Sequence, residues 1–509
     1  AFLYYTRSFN KQHNLNVSAG WEAASGTTES TNAHYRGFPS GEFHSLNYAA
    51  EVYKKPTRTE NTTRRVSVLA SANYTWNDIY LVDASVRFDG SSEFGANQKW
   101  APFFSGGLGV NIHNYDFFKS NGYINKLKLR ASYGRTGKVN FPAYAATTMY
   151  ETLFDEWYIT GYGAVLKALG NKDLTWEKTD KLSVGIETKT FHDRLTVDFE
   201  YYYNKTIDLV NDVTLSQTSG FSTYKDNMGQ VANKGVELKL RADIYRDRNW
   251  NVALWGNMAH NKNEILKISD SQKAYNERVA AYYKNEALYQ ETLGLSHGAE
   301  YSVPLPQYEE GASLTSIWAV RSLGIDPTTG KEIFLNRDGS IADKWNAAQE
   351  VVVGNTEPKC SGAFGLNLSY KNWTLFASFL YEWGGQEYNQ TLVNNVENAD
   401  LVNKNVDLRV LTDRWKKPGD IAQFKDIKDR GMTTLPTSRF VQDKALVRLN
   451  SLNVSYDFNR DWIKKHLRMN LLRLEASTSD LINWSSIKQE RGLSYPRSWK
   501  VEFSLKAQF

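Results

Sequence analysis

An all-β fold is the prediction that this sequence supports most directly, and its clearest evidence lies in the last residues. Apolar and polar side chains alternate there without a break, the apolar ones being Trp499, Val501, Phe503, Leu505, Ala507 and Phe509. Strict period-two alternation indicates a strand with one apolar and one polar face. An aromatic residue at the end of such a strand is typical of the closing strand of an outer-membrane β-barrel, although the edge strand of a soluble sandwich shows the same alternation.

The composition also favours a membrane barrel. The 509 residues include 30 Tyr, 24 Phe and 15 Trp, which makes 14% of the chain aromatic, yet the mean hydropathy is -0.54. A barrel places one face of each strand in lipid, the other toward a polar lumen, and aromatic rings at the two membrane interfaces. No stretch approaches the roughly 20 apolar residues that a membrane-spanning helix needs, which argues against helical spanning.

Charge and cysteine content exclude few classes of protein. The formal net charge of +5 is small for this length, and no dense run of Lys and Arg predicts a nucleic-acid surface. Cys360 has no second cysteine to pair with, so an internal disulfide framework is excluded. The first residues lack the charged start, apolar core and cleavage site of a signal peptide, which suggests either a protein that is not exported or a fragment.

Strand candidates recur along the chain in pairs that are joined by very short turns. The residues predicted to form strands are 1–9, 13–24, 64–76, 79–89, 100–112, 125–135, 181–190, 194–204, 235–245, 250–260, 360–371, 374–384, 444–458, 468–479 and 498–509. Most have roughly ten or more residues, the length that a tilted membrane strand requires. The sequence therefore predicts a transmembrane antiparallel β-barrel portion of about 15 strands.

Long polar segments separate the strand pairs, at about 25–63, 136–172, 205–230, 261–357 and 386–443. Short turns on the periplasmic side and long loops outside are the usual arrangement of such barrels. With Phe509 on the periplasmic side, an odd number of strands places the start of the chain at the outer surface. A complete bacterial barrel has an even number of strands, so we expect this chain to be the C-terminal portion of a larger barrel, without its N-terminal strands.

Strand periodicity assigns residues to the two faces. The predicted aromatic girdle and barrel closure comprise Tyr74, Trp76, Tyr201, Tyr203, Trp499, Phe503 and Phe509. The charged residues with inward phase are Asp83, Arg87, Glu187, Asp198, Glu200, Glu237 and Arg241. These charges are candidates for a substrate path, but such charges more often form a solvated lumen wall or contact a plug.

Tryptophans and a turn offer further candidates. Trp318, in the longest loop, is a candidate for stacking on substrate. The same role is open to Trp176, Trp255, Trp373 and Trp499. The alternative for these tryptophans is that they anchor the barrel at a membrane interface or pack against lipid. Asp338-Gly339 lacks the spaced carboxylates of a calcium loop and predicts a hairpin turn. We therefore predict no metal site.

Enzymatic chemistry has no support in the sequence. The 8 histidines show no HExxH or other metal-ligand spacing, and no G-x-S-x-G elbow is present. Gly106-Gly107-Leu108-Gly109 lies in strand-like sequence and lacks the following helix of a phosphate loop. We expect a protein that is not an enzyme and that needs no cofactor.

Several motifs, in order along the chain, resemble those of the SusC/RagA-type TonB-dependent transporters. They are the segment 87–95 (RFDGSSEFG), the segment 129–137 (LRASYGRTG), the segment 173–179 (DLTWEKT), the segment 227–238 (NMGQVANKGVEL) and the segment 324–340 (GIDPTTGKEIFLNRDGS). Five motifs spread over most of the chain are far more specific than any one alone.

The resemblance implies that the whole protein is a 22-stranded plugged barrel in the outer membrane of a Gram-negative bacterium of the Bacteroidota. It also implies a surface SusD-like lipoprotein as partner, coupling to TonB through the missing N-terminal part, and import of oligosaccharides or peptides. The substrate stays open between these two classes.

Two alternatives remain at this point. A passive porin or a surface adhesin would share the barrel and the long loops without energy coupling. A soluble β-rich carbohydrate-binding protein is the other alternative. A plug and a TonB box upstream would identify an importer, and heat-modifiable gel mobility in the membrane fraction would identify a barrel.

Overall fold

The fold is described from a computed structural model of the 509-residue chain. The described residues are 1–42, 45–119, 122–139, 141, 144–159, 161–214, 223–227, 229–269, 272–274, 276–277, 307–403, 406–431, 434–458, 460–488 and 500–509. In these residues no helix is both long enough and apolar enough to cross a membrane.

Strands dominate the structure. They are β1 Phe2–Phe9, β2 His13–Arg36, β3 Glu51–Trp76, β4 Tyr80–Ser91, β5 Trp100–Asn111, β6 Ile124–Lys138, β7 Met149–Tyr158, β8 Gly161–Ala168, β9 Glu177–Thr190, β10 Leu195–Ile207, β11 Val210–Thr214, β12 Thr223–Asn227, β13 Gln230–Arg246, β14 Trp250–Lys267, β15 Ser316–Ile325, β16 Glu332–Leu335, β17 Ile341–Ala342, β18 Glu350–Asn355, β19 Cys360–Tyr370, β20 Trp373–Tyr388, β21 Val441–Asp457, β22 Leu471–Ser479, β23 Asn483–Ser485 and β24 Lys500–Gln508.

Helical segments are short and lie between strands. The α-helices are Asp116–Lys119, Gln390–Leu392, Arg409–Thr412 and Arg460–Leu467, a π-helical turn spans Val393–Glu397, and the 3-10 turns are Leu46–Tyr48, Ile112–Asn114, Ala347–Gln349, Ile427–Gly431 and Ser438–Phe440.

One large sheet confirms the predicted fold class. Its strand order is β1-β2-β3-β4-β5-β6-β9-β10-β13-β14-β19-β20-β21-β22-β24, and β23 adds to it by pairing with β21. These fifteen strands in the path correspond one for one to the fifteen that periodicity predicts. Neighbouring strands follow one another in the chain and pair antiparallel, as in the β13–β14 and β19–β20 hairpins.

The long segments contain more regular structure than expected. The prediction of a loop over 25–63 is wrong in extent, because β2 and β3 stay paired from His13–Trp76 to Arg36–Glu51. Hairpins β7–β8 and β11–β12 occupy the segments 136–172 and 205–230, and β15 to β18 form a four-stranded sheet within 261–357. Polar strands exposed on both faces lack the apolar alternation on which the prediction relied.

The first compact unit comprises Ala1–Leu108, Ser132–Lys181 and Thr206–Met228. Its hairpins turn tightly: Asn10 and Lys11 between β1 and β2, and Asn77 and Asp78 between β3 and β4, have φ between 53° and 55°. Asn and Asp tolerate this left-handed region better than most residues, which explains the short turns there.

The second compact unit comprises Gly109–Ala131, Leu182–Lys205 and Gly229–Phe509. It carries the four-stranded sheet, whose order is β17-β16-β15-β18. Asp338-Gly339 forms the predicted turn between β16 and β17: Gly339 has φ +88°, and the Asn336 amide donates to the Ser340 carbonyl oxygen at 2.9 Å.

Candidate functional site

The strands of the first unit expose apolar side chains on one face. Val66 and Val68 on β3 lie opposite Gly90 and Phe88 on β4, and Val68, Val86 and Phe88 are each about half exposed. Tyr74 and Trp76 follow on this face near the short turn, and the Trp76 and Tyr80 rings stack with centroids 5.2 Å apart. Contiguous exposed apolar rows mark surfaces that contact a protein or a membrane.

The second unit shows the same segregation. Leu240, Leu254 and Phe364 share one face of β13, β14 and β19 and are exposed. Aromatic rings collect where these strands meet their short turns: Trp250 contacts Tyr370 at 4.3 Å between centroids, and Trp373 contacts Tyr456 at 4.8 Å. Periodicity alone had not assigned Trp250, Tyr370 and Tyr456 to a girdle.

The remaining predicted girdle residues differ in how exposed they are. Tyr201 is 41% exposed and Tyr203 is partly exposed on β10, on the same face as Phe199. Phe503 and Phe509 are among the most exposed aromatics, at 76% and 79%. Trp499 lies outside the described residues.

Charged side chains on the opposite face of the second unit are paired. Lys126 Nζ donates to Glu187 Oε1 at 2.6 Å. Arg130 Nη2 donates to Asp198 Oδ1 at 2.9 Å and to Glu200 Oε2 at 2.6 Å. These side chains are only partly exposed, so Glu187, Asp198 and Glu200 form a polar, ion-paired surface, with Lys126 and Arg130 as partners that the sequence reasoning did not name.

The other predicted charges are more loosely held. Arg241 Nε lies 3.3 Å from Asp243 Oδ1 on its own strand, and Glu237 is partly exposed opposite Ala259. In the first unit Arg87 Nε donates to Asp89 Oδ1 at 2.6 Å. The Asp83 carboxylate lies against Gly107, where an added Cβ would approach Oδ1 to 2.5 Å. Their role in a substrate path stays a prediction.

The structure does not present the Trp318 ring to a ligand. Trp318 lies on β15, and only 2% of it is exposed. Its strand is the central one of the β15–β18 sheet, paired with both β16 and β18. Trp176 is similarly buried, at 6% exposure. Trp255 stacks with Phe376 at 6.2 Å, and Trp373 is 51% exposed in the aromatic row.

The first unit contains a buried cluster that we call the motif core. It comprises Phe94, Phe103, Phe141, Leu174 and Trp176 with the small residues packed on them. The Phe94 and Trp176 rings stack at 4.2 Å, and Phe103 meets Trp176 edge-on at 5.3 Å. The Gly95 amide donates to the Leu174 carbonyl oxygen at 3.0 Å.

Residues from four of the five motifs meet in or beside this core. Gly137 is packed so closely that a Cβ would approach the Phe103 ring to 2.1 Å, and a Cβ on Gly95 would approach the Lys172 carbonyl oxygen to 2.0 Å. The Asn227 side chain accepts from the Thr175 amide at 2.8 Å and donates to the Thr175 carbonyl oxygen at 2.9 Å. These motif residues therefore hold loops together.

The second unit contains a loop module, which we define as the β15–β18 sheet with residues 389–403, 406–431 and 434–440. At its centre Arg439 makes paired bonds to two carboxylates, with Nη2 at 2.9 Å from Glu332 Oε2 and 2.6 Å from Glu397 Oε1. Burial lowers the pKa of Arg439, but the Glu332 and Glu397 carboxylates outweigh burial and raise that pKa above its ordinary value. Glu397 is fully buried.

Apolar packing and a second arginine complete the loop module. Val393, Val396, Val410 and Phe440 belong to one buried cluster, and the Arg439 guanidinium lies 4.4 Å from the centre of the Phe440 ring. The buried Arg414 donates to the backbone carbonyls of Val410 and Glu397. No spacing in the sequence signals these contacts, since Glu332 is 107 residues from Arg439.

Two polar side chains on β14 attach this module to the large sheet. Asn263 accepts from the Leu314 amide at 2.8 Å and from Ser313 Oγ at 3.1 Å. Asn261 donates to the Glu357 carboxylate. The residues just before β15 and just after β18 are therefore bonded to nearby positions of the same strand.

One titratable group of the module has a strongly shifted pKa. Burial raises the pKa of the Glu350 carboxyl to about 7, although its hydrogen bond with Gln307 and the charge of Arg337 act in the opposite direction.

Within the described residues no group of three or more His, Cys, Asp or Glu side chains could hold a metal ion.

Comparisons with known proteins all point to the same family of outer-membrane barrels. The β-barrel family described as "TonB dependent receptor-like, beta-barrel" matches residues 2–471. TonB-dependent receptor P3 of Formosa agariphila is 28% identical over 95% of this chain and 47% of its own length. TonB-dependent receptor SusC of Bacteroides thetaiotaomicron is 29% identical over 47% of this chain and 25% of its own length.

Among solved structures, one described as the RagAB peptide transporter matches all of this chain and 55% of that chain, with a TM-score of 0.81 and 23% identity. This likeness supports the fold. The chain spans about half the length, or less, of the curated relatives that it matches.

Proposed function

Because this chain belongs to the TonB-dependent receptor-like β-barrel family, we propose that it is the barrel portion of a SusC-like importer in a Gram-negative outer membrane. The whole protein takes up nutrient oligomers, either glycans or peptides, with energy delivered through TonB. It works with a SusD-like surface lipoprotein, and a plug completes the pore. Its matched relatives come from the Bacteroidota.

The segregation of the sheet faces is the observation that carries the membrane part of this proposal. Trp373 and Trp383 lie on the same face of β20 and are 51% and 72% exposed. Ten residues of strand rise about 33 Å, which a tilt of about 40° reduces to about 25 Å along the membrane normal, the height of the apolar band of outer-membrane barrels. The two tryptophans therefore suit the two interfaces.

Paired charges on the opposite face and the loop module support the transport part. A polar, ion-paired wall such as Arg130 with Asp198 and Glu200 suits a water-filled or plug-filled lumen. Ordered long loops at one end of a sheet are where binding sites usually form. A barrel of 22 strands is too wide to be filled by its own wall, so a plug is needed to prevent leakage.

Uptake by living cells tests the proposal. A strain lacking the gene is complemented with the full-length protein, and uptake of fluorescent oligosaccharides and of fluorescent oligopeptides is measured with and without TonB. We expect uptake of one class that disappears without TonB. Uptake that persists without TonB would identify a passive porin, and a protein found only in the soluble fraction would contradict the membrane barrel.

A further inference from the structure

A cavity of about 490 Å³ lies at the loop end of the large sheet in the second unit. Its walls come from the ends of β14 and β20, the start of β21 and the segment 355–359 that enters β19. The Lys359 carbonyl oxygen accepts a hydrogen bond from His260 Nδ1 at 2.7 Å, which fixes the imidazole at the edge of the cavity. None of the charges predicted from the sequence belongs to it.

Strand register places this cavity on the apolar face. Trp383 pairs with Cys360 on β19 and with Ala445 on β21. It is in phase with the exposed Phe364 and the partly exposed Phe379, whose rings stack with centroids 5.2 Å apart. His260 and Lys262 share the phase of Met258, which pairs with Gly362 on the same face. The cavity therefore meets the face that we assign to lipid.

Its height along the strands coincides with the outer membrane interface. Trp383 contributes to the lining and, at 72% exposure, marks the loop-end row of aromatic rings. Trp484 on β23, opposite Val447, lies on the same face and is 57% exposed. Tryptophan rings favour the level of the lipid headgroups, so the cavity lies where headgroups are found.

The lining of the cavity carries three lysines and two carboxylates. Lys444 forms ion pairs with Glu382 and Glu387, at 3.4 and 3.3 Å. The Asp443 carboxylate accepts a hydrogen bond from Gln386 at 3.1 Å. The Glu357 carboxylate accepts one from Asn261. Lys359 has no carboxylate partner among the described residues. Lys262 has only a long contact of 3.9 Å, with Glu264. Two lysine ammonium groups thus remain for an anion.

We propose that this cavity binds the phosphate-bearing headgroup of an outer-leaflet lipid. Lys262 and Lys359 contact the phosphate, and the lipid chains lie against Trp383 and the apolar face below it. Basic pockets between membrane helices bind phosphate-bearing lipid headgroups, and two lysines beside an interface offer a headgroup the same charge. The inference rests on the membrane location within the proposed function.

Lipid titration of the full-length protein tests this site. The protein is reconstituted into phosphatidylcholine nanodiscs and titrated with phosphatidic acid, and the bound lipid is measured by native mass spectrometry. The double variant Lys262→Gln/Lys359→Gln is compared with Lys331→Gln/Lys416→Gln, which removes two exposed lysines of the loop module. Each lysine near a membrane surface contributes a factor of about 5, so we expect about 30-fold weaker binding in the first variant and no change in the second.

Two further arms identify the ligand. Inorganic phosphate is added as a competitor, and Trp383→Ala removes the proposed contact with the lipid chains. We expect inorganic phosphate to compete poorly and Trp383→Ala to weaken phosphatidic acid binding several-fold. Equal binding by the two lysine double variants overturns the site, and equal competition by inorganic phosphate overturns the lipid assignment. Failure of the wild-type protein to insert into nanodiscs would instead contradict the proposed membrane function.

Discussion

The motif core of the first unit and the loop module of the second hold long loops by different physical means. In the motif core, aromatic rings such as Phe94 and Trp176 pack face to face, and neutral hydrogen bonds close the loops around them. The loop module also has an apolar cluster, but its centre is a buried arginine between two carboxylates. Each lost apolar contact costs little by itself, whereas a buried charge that loses its partner is costly.

The largest effect is expected from Arg439→Met. This change leaves the Glu332 and Glu397 carboxylates buried without their cation, which costs about 3–5 kcal/mol. Hydrogen exchange of the amides in β15 and β16 measures the opening free energy of the module. Arg409→Met is the control, because the Arg409–Asp407 pair is more exposed and contributes about 1 kcal/mol or less. Equal effects of the two changes would show that the buried triad is not what closes the module.

The next largest effect is a dependence of the stability of the loop module on pH. The pKa of Glu350 in the folded module is about 7, above its ordinary value, so the folded state binds the proton more tightly than the open state. Its contribution to stability is therefore complete below about pH 4.5 and is lost as the pH rises through 7. We expect the opening free energy to fall by on the order of 2 kcal/mol between pH 5 and 8.

Proteolysis measures this pH effect. The rate of cleavage within residues 316–355 by a nonspecific protease is divided, at each pH, by the rate for Glu350→Gln, which cancels the pH dependence of the protease. The ratio should rise from pH 5 to 8. A flat ratio would mean that Glu350 does not titrate in this range, and the motif core should show no comparable change.

A smaller effect is expected in the motif core. Phe94→Leu keeps an apolar side chain but loses the stacking on Trp176, at a cost of about 1–2 kcal/mol. Hydrogen exchange in residues 91–100 and 171–177 should report this loss equally at low and high salt. Phe104→Leu, at a ring that is 42% exposed, is the matched control. A salt-dependent loss in Phe94→Leu would remove the contrast between the two regions.

The smallest effect is expected at the ion-paired wall. Lys126 and Glu187 are partly exposed, so a double-mutant cycle with Lys126→Met and Glu187→Gln should give a coupling energy of about 0.5 kcal/mol. Thermal loss of heat-modifiable gel mobility in the membrane fraction measures it. A coupling energy above about 2 kcal/mol would mean that this partly exposed pair stabilises the protein about as strongly as the buried Arg439 triad, contrary to our expectation.

Much of the fold could be predicted from local patterns. The fifteen strands of the sheet path follow from period-two alternation, since each strand must present one apolar and one polar face wherever its neighbours lie. The assignment of Glu187, Asp198 and Glu200 to the polar face follows for the same reason. The extra pairing of β2 with β3 beyond residue 25 was missed, because neither strand alternates there.

The five motifs could be recognised in the sequence, but their physical role could not. Phe94, Gly137, Trp176 and Asn227 are far apart in the chain, and only folding shows that they meet around one core. Trp318 illustrates the reverse error. A tryptophan in a long loop suggested an exposed ring, whereas strand pairing on both sides buries it.

The sequence by itself therefore determined the all-β class, the positions of the fifteen strands along the chain and the two faces of each strand, because alternation is a local property of the extended chain. Only the tertiary structure decided which distant segments pack together and what holds them, because the Arg439 triad and the motif core join residues that are far apart in the chain. The same holds for the cavity beside Trp383, where Lys262 and Lys359 come together through strand register. Local patterns carry no information on such distant partners, and the free energy of burying them exists only once the sheet has formed.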